Sequence, residues 1–368
     1  MIASLRYEAG FMIRADLKLV FWELTAGCNL SCLHCRRLEV SKELSKKDLS
    51  TQACRELIRQ IADTAKPILV FSGGEPLLRP DLFDLVDEAK SRGLETAIAT
   101  NGTLIDGKVA QEIKRHGVRR VAVSLDGPSS VIHDGFRGEK GAFDKTILGC
   151  MALRRSGISL QINSTLARHN AEYREELYQL AIALGADAFH LFMLVPVGCG
   201  LEIAKTHQLT GAEYEEILRW LYQKSLEKKI HVRATCAPHY FRIIREESAK
   251  EKRPLQHSKS GFQAMTRGCL AGTSICFISH KGEIFPCGYL PVTAGRFPDV
   301  SFESVWRDSP AFLRLRNPKE LLGKCGICEF KKVCMGCRAR AFYETGNFME
   351  EEPFCTYEPE DREAHCCD

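Results

Sequence analysis

The chain has 368 residues, 45% of them hydrophobic and 27% charged, with a formal net charge of +4. That length supports a sizeable core in one large domain or two moderate ones, and so small a charge does not imply a nucleic-acid partner. Its 17 cysteines are too sparse for a small disulfide scaffold in a chain this long, so reduced, metal-binding thiols in a cytoplasmic protein are expected.

The N-terminal stretch is broken by Arg6, Glu8, Arg14 and Asp16 and offers no signal-peptide core. No run reaches the roughly 18 apolar residues of a membrane helix. From Leu17 to Pro196 short apolar runs alternate with amphipathic patterns. The predicted strands are LKLVFWEL, PILVFS, LETAIAT, RRVAVSL, SLQINSTL and AFHLFMLVP, and the predicted helices include TQACRELIRQIADTA and DLFDLVDEAKSRG, the latter closed by Gly93. Repeated βα units predict an α/β fold with a parallel sheet. Six units are too few to close an eight-stranded barrel and predict an open, partial (β/α)6 barrel. A helix, GAEYEEILRWLYQKSLEKK, the run IHVRATCAPHYFRII and a charged connector follow, and beyond Thr266 cysteines replace hydrophobic periodicity. The expected divisions are an extension over 1–16, a barrel over 17–205, a bridging segment over 206–265 and a cysteine-rich domain over 266–368 with little regular secondary structure.

Directly after the first strand, TAGCNLSCLHCRR gathers Cys28, Cys32 and Cys35. Thiolates suit zinc or iron–sulfur clusters, and a structural zinc site closes its shell with four protein ligands. The next cysteine, Cys54, sits in a helical pattern and reads as a core residue. The spacing Cys-x3-Cys-x2-Cys resembles the signature of the radical S-adenosylmethionine (radical SAM) family. In that family three thiolates hold a four-iron cluster whose open iron binds the amino and carboxylate groups of S-adenosylmethionine. The resemblance continues in FSGGEP, with Gly73, Gly74 and Glu75, in ATNGT (99–103) and in VSLDG (123–127). It implies S-adenosylmethionine contacts from these three residues and from Ser124, Arg137, Asn163 and Leu194. Cys28, Cys32 and Cys35 would hold the cluster that cleaves it.

The C-terminal cysteines resemble the SPASM extension, including HKGEIFPCG, where Gly282 stands five residues before Cys287. Zinc ribbons are the plainer reading of its Cys-x2-Cys pairs. The resemblance implies two auxiliary four-iron clusters, one on Cys269, Cys276, Cys287 and Cys337, the other on Cys325, Cys328, Cys334 and Cys355. That makes three [4Fe-4S] clusters in all. Two residues, Met335 and Gly336, separate Cys334 from Cys337, where the family usually has three. Of the remaining thiols, Cys236 is the one to follow, and Cys366 and Cys367 read as tail residues.

LVPVGCG (194–200), ATCAPHY (234–240), PCGYLPV (286–292) and CRARAFYETGNFMEEEP (337–353) resemble the haem synthases of the siroheme-dependent haem pathway. The resemblance implies oxidative decarboxylation of two propionates of iron-coproporphyrin III to vinyl groups, giving haem b, with an electron donor such as flavodoxin or ferredoxin. A substrate with four carboxylates calls for guanidinium groups. Arg36 and Arg338, each beside a cluster cysteine, lead that set, with Arg37, Arg233, Arg242 and Arg340 behind them. His239 is either an axial ligand of the porphyrin iron or an N-cap or core histidine. A maturase of a ribosomal peptide, a related tetrapyrrole enzyme and a zinc-binding scaffold are the alternatives.

Overall fold

The computed structural model describes residues 15–36, 44–254 and 267–360. Ten strands form one sheet: β1 (Leu19–Glu23), β2 (Ile68–Ser72), β3 (Glu95–Thr100), β4 (Arg120–Ser124), β5 (Ser159–Leu166), β6 (Ala188–Met193), β7 (His231–Thr235), β8 (Ile275–Ile278), β9 (Glu283–Phe285) and β10 (Gly295–Arg296). Their order is β10-β9-β8-β1-β2-β3-β4-β5-β6-β7. Neighbours from β8 through β7 run parallel, and only β9 and β10 are antiparallel additions. The α/β expectation of six βα units is met by β1–β6, and the sheet goes further at both edges. The run expected to bridge two domains supplies β7, and the cysteine-rich region supplies β8 beside β1.

Side-chain alternation explains why the sheet is open on one face. Val20 and Trp22 on β1, Leu69 and Phe71 on β2, Val121 and Val123 on β4, and Cys276 and Ile278 on β8 are fully buried. They point to the face covered by helices, where each large apolar side chain contributes about 1.5–3 kcal/mol. Several intervening positions, among them Ser72, Ser124, Asn163, His190 and Arg233, are only half-buried and line the other, concave face. Register carries one polar row along that face, Ser124 beside Asn163, Asn163 beside His190 and His190 beside Arg233.

The helices follow their sequence signals. In the helix Thr51–Thr64, Ser50 caps the first turn and Cys54, Leu57, Ile58, Ile61 and Ala62 form the buried stripe, which accounts for Cys54 as a core thiol. Gly93, at φ +76°, ends the helix Leu82–Ser91 as expected. Among the described residues, no helix is long and apolar enough to cross a membrane.

Candidate metal centres

The first cysteine group lies on the loop leaving β1. Its backbone is tied to the loop after β2: Gly74 N donates to Thr25 O and Glu75 N to Gly27 O, both at 2.8 Å. A Cβ on Gly74 would lie 2.1 Å from the Gly27 carbonyl oxygen, and one on Gly73 2.9 Å from that of Thr25. The glycine pair therefore serves the approach of the β2 loop to the cysteine turn. Gly74→Ala is expected to push the two loops apart, at the roughly 1–3 kcal/mol typical of overpacking. A fall in both melting temperature and iron bound at the first group would check this.

Glu75, one of the expected S-adenosylmethionine contacts, has a fully buried carboxylate that is engaged within the protein. Oε1 accepts from Leu77 N and Thr100 Oγ1, and Oε2 from Asn101 N. Burial pushes this carboxyl up to about 7, against the pull of those hydrogen bonds. It fastens the β2 loop to the end of β3. Asn101 Nδ2 in turn donates to Asn29 Oδ1 at 2.8 Å, closing the ATNGT loop onto the cysteine turn.

Cys28, Cys32 and Cys35 are partly accessible. Burial raises the Cys28 thiol to about 11, and the nearby charges of Cys32, Glu75 and Cys35 add to the effect, so the three thiols sit within electrostatic reach of one another. Arg137 reaches the Cys32 sulfur at 3.7 Å and pairs with buried Asp126 at 2.5 Å. Among the described residues its Nε, also buried, has no hydrogen-bond partner. That orphan donor beside the cysteine turn is what an anionic ligand there requires. Ser124, at the carboxyl-terminal end of β4, stands next to Asn163, midway along β5. Leu194 follows β6 and packs on Phe136 and Ala167. The next loop returns to the turn, with Cys199 N donating to Cys35 O at 2.8 Å.

The C-terminal thiols form two further groups. Cys325, Cys328, Cys334 and Cys355 line one cavity together with His239 and Arg242. Backbone N–H groups of Phe330, Gly336 and Glu352 donate to the sulfurs of Cys328, Cys334 and Cys325, each at 3.4 Å. Such N–H···S bonds fit the thiolates of an iron–sulfur cluster. Cys269, Cys287 and Cys337 form the other group: burial raises Cys287 to about 12, and the charges of Cys269 and Cys337 reinforce it. Met335 and Gly336 adopt left-handed backbone at φ +65° and +59°. Within the shortened spacing they turn Cys334 toward one group and Cys337 toward the other. Among the described residues no three His, Cys, Asp or Glu side chains converge as a single metal ion requires.

Two expectations, for Cys276 and Arg338, are corrected here. Cys276 does not join Cys269, Cys287 and Cys337; it lies opposite Val20 on the helix-covered face of β8, within the main hydrophobic core. Arg338 is fully buried, and its guanidinium donates to Phe348 O and Glu350 O and toward the Cys325 sulfur, so it braces a cysteine loop and does not face a substrate. His239 is fully buried and lines the cavity of the Cys325 group, as the core reading of this histidine expects. Burial drives its pKa down to about 3, which keeps the ring neutral.

Arg36 directly follows the cysteine turn. Its guanidinium lies 4.1 Å from the Phe277 ring centroid and 3.4 Å from Glu23 Oε1. The Tyr289 hydroxyl feels Cys236, Arg36, Cys287 and Cys35 together, so Arg36 and Tyr289 stand where the first and second cysteine groups face each other. Of the other arginines, Arg242 pairs with Glu215 and Glu246 and Arg340 with Glu352. Arg233 lines the concave face, and Arg37 lies outside the described residues.

Sequence reasoning passed over Asp126, Asn29 and Glu352. Asp126 stands inside the quoted VSLDG, and a carboxylate following a strand end was a usable signal. Asn29 and Glu352 also stand inside quoted motifs, TAGCNLSCLHCRR and CRARAFYETGNFMEEEP, but nothing in those motifs points to their partners.

Residues 22–181 match the family model described as the radical SAM superfamily, and residues 269–338 that of an iron–sulfur cluster-binding domain, SPASM. An AdoMet-dependent heme synthase of Methanosarcina barkeri is 47% identical over 93% of this chain and 97% of its own length. The chain belongs to the radical SAM family. A second heme synthase of that description, from Oleidesulfovibrio alaskensis, is 44% identical over 94% of this radical SAM chain and 89% of its own. Streptococcus suis SuiB bound to precursor peptide SuiA shares the fold, with a TM-score of 0.74 at 19% identity over 94% of this chain and 77% of that one.

Proposed function

We propose that this enzyme is an AdoMet-dependent heme synthase, which oxidatively decarboxylates two propionate side chains of iron-coproporphyrin III to vinyl groups. The observation that carries the reading is the 47% identity to such a synthase across nearly the whole of both chains. Cys28, Cys32 and Cys35 would hold a four-iron cluster, and Gly73, Gly74, Ser124, Arg137, Asn163 and Leu194 would border S-adenosylmethionine beside it. When bound, these groups supply a deoxyadenosyl radical that takes one hydrogen atom from the substrate.

The chain's own residues prepare the rest. Loss of a β-hydrogen atom and then of carbon dioxide from a propionate gives the vinyl group and releases one electron. That electron needs an acceptor, for which we assign the two C-terminal groups as auxiliary clusters, making three [4Fe-4S] clusters in all. Arg36 would pair with a substrate carboxylate next to the first group. Arg233, whose pKa burial lowers to about 10, remains charged at neutral pH and would meet another from the concave face. A small iron–sulfur or flavin protein of the cytoplasm would supply the initial electron.

Anaerobic protein given dithionite, S-adenosylmethionine and iron-coproporphyrin III is expected to yield products lacking two hydrogens and one carbon dioxide per propionate, once and then twice, by mass spectrometry. Deoxyadenosine with unchanged porphyrin would overturn the substrate and turn attention to peptides.

A further inference from the structure

We propose that Cys236 is the fourth thiolate of the centre built on Cys269, Cys287 and Cys337. The inference rests on the reading above that this centre is an iron–sulfur cluster. Three thiolates leave one iron without a protein ligand, and the residue expected to complete the set, Cys276, points through the sheet to the opposite face.

Several observations place Cys236 in that position. It directly follows β7, the edge strand of the sheet, and packs in the same small apolar cluster as Cys269, Cys287 and Cys337. The charges of those three cysteines all reach its thiol, whereas no other cysteine acts on Cys276. The backbone of Cys236 has φ +58°, a conformation disfavoured for any side chain with a Cβ and held only where the surroundings over-determine it. Those surroundings are visible. Gly268, next to Cys269, is wedged so tightly that an added Cβ would lie 2.5 Å from Cys334 O and 2.7 Å from the Pro238 side chain. Cys269 N also donates to Cys334 O at 3.0 Å. The segment carrying Cys236 and the start of the cysteine-rich region are thereby locked together.

The test uses the full chain with Cys28, Cys32 and Cys35 all replaced by alanine, so that only the C-terminal centres bind iron. Iron, sulfide and the EPR spectrum of the dithionite-reduced protein are measured after anaerobic reconstitution. The parent is expected to hold about eight irons. Cys236→Ala should lose up to about four of them, or convert one signal to that of a three-iron cluster, while Cys276→Ala keeps the parent's iron and spectrum. Cys236→Ser, with a hydroxyl in place of the thiol, should keep the iron but shift one cluster's g-values. The unaltered signal of the Cys325 group in each variant shows that the chain has folded. Full iron with an unshifted spectrum in both Cys236 variants, or loss of a cluster from Cys276→Ala, overturns the assignment. A parent holding no iron and sulfide would instead overturn the cluster reading itself.

Discussion

Cys28→Ala protein is expected to form no detectable 5′-deoxyadenosine from S-adenosylmethionine, while still binding the iron of its C-terminal centres. The first group has only three thiols on one short loop. Cys54 faces the core, and Cys199, whose backbone N–H meets the turn and whose thiol lies within electrostatic reach of Cys32, stands on the separate loop after β6. Two thiolates do not hold a four-iron cluster firmly, so the loss should exceed about a thousandfold, the scale of removing one member of an obligate catalytic set. Roughly a third of the iron should go with it if three clusters are present. The C-terminal groups stand on separate loops with their own N–H···S bonds, so their EPR signals should persist. Continued cleavage of S-adenosylmethionine by this variant would remove the catalytic role assigned to the turn.

The second large effect is expected at Glu352. Arg340 and Glu352 form an ion pair with both side chains almost wholly buried, Arg340 Nε donating to Glu352 Oε1 at 2.8 Å. The other carboxylate oxygen accepts from Cys337 N at 2.5 Å, so the pair also aims a cluster thiol. Glu352→Ala leaves a guanidinium buried without its counter-charge, which costs about 3–5 kcal/mol and should appear as a lower denaturation midpoint with loss of cluster iron. The pH dependence has a definite sign. Burial opposes ionisation of Glu352, but the Arg340 charge outweighs it and holds the carboxyl below its ordinary value of 4.5. The pair's contribution is therefore complete above that value and is lost as pH falls through the lowered one. Glu352→Gln should be less stable than the parent at neutral pH and should lose less on acidification. Equal acid sensitivity of the two proteins would show that the pair does not act this way.

Much of this could be read from the residues. The cysteine turn, the Gly-Gly loop and the strand-end motifs carry local signals, and parallel βα topology brings strand ends together by rule. What the sequence hid was placement along and across strands. By order in the chain Cys276 belongs to the cysteine-rich region and is the expected ligand, while Cys236 lies in the bridging segment before it. The choice between them depends on the two-residue period of Ile275–Ile278, in which Phe277, packed against Arg36, claims the concave face and sends Cys276 to the other. His239 and Arg338 look functional in one dimension because they neighbour motif residues. Their burial, and for Arg338 its hydrogen bonds to distant carbonyls, appears only once the loops are packed. Strand β7 lies in the run IHVRATCAPHYFRII, whose apolar pattern alone does not show that it pairs with β6.

The pairing of β8 with β1 has a consequence for biosynthesis. Leu19–Glu23 leaves the ribosome early, but its outer neighbour, Ile275–Ile278, follows some 250 residues later. During translation the strand that carries the catalytic turn is therefore an unpaired sheet edge, open to mispairing with other chains. Iron inserted at Cys28, Cys32 and Cys35 in that interval would enter a site whose far wall, with Phe277 and Tyr289, has not yet been made.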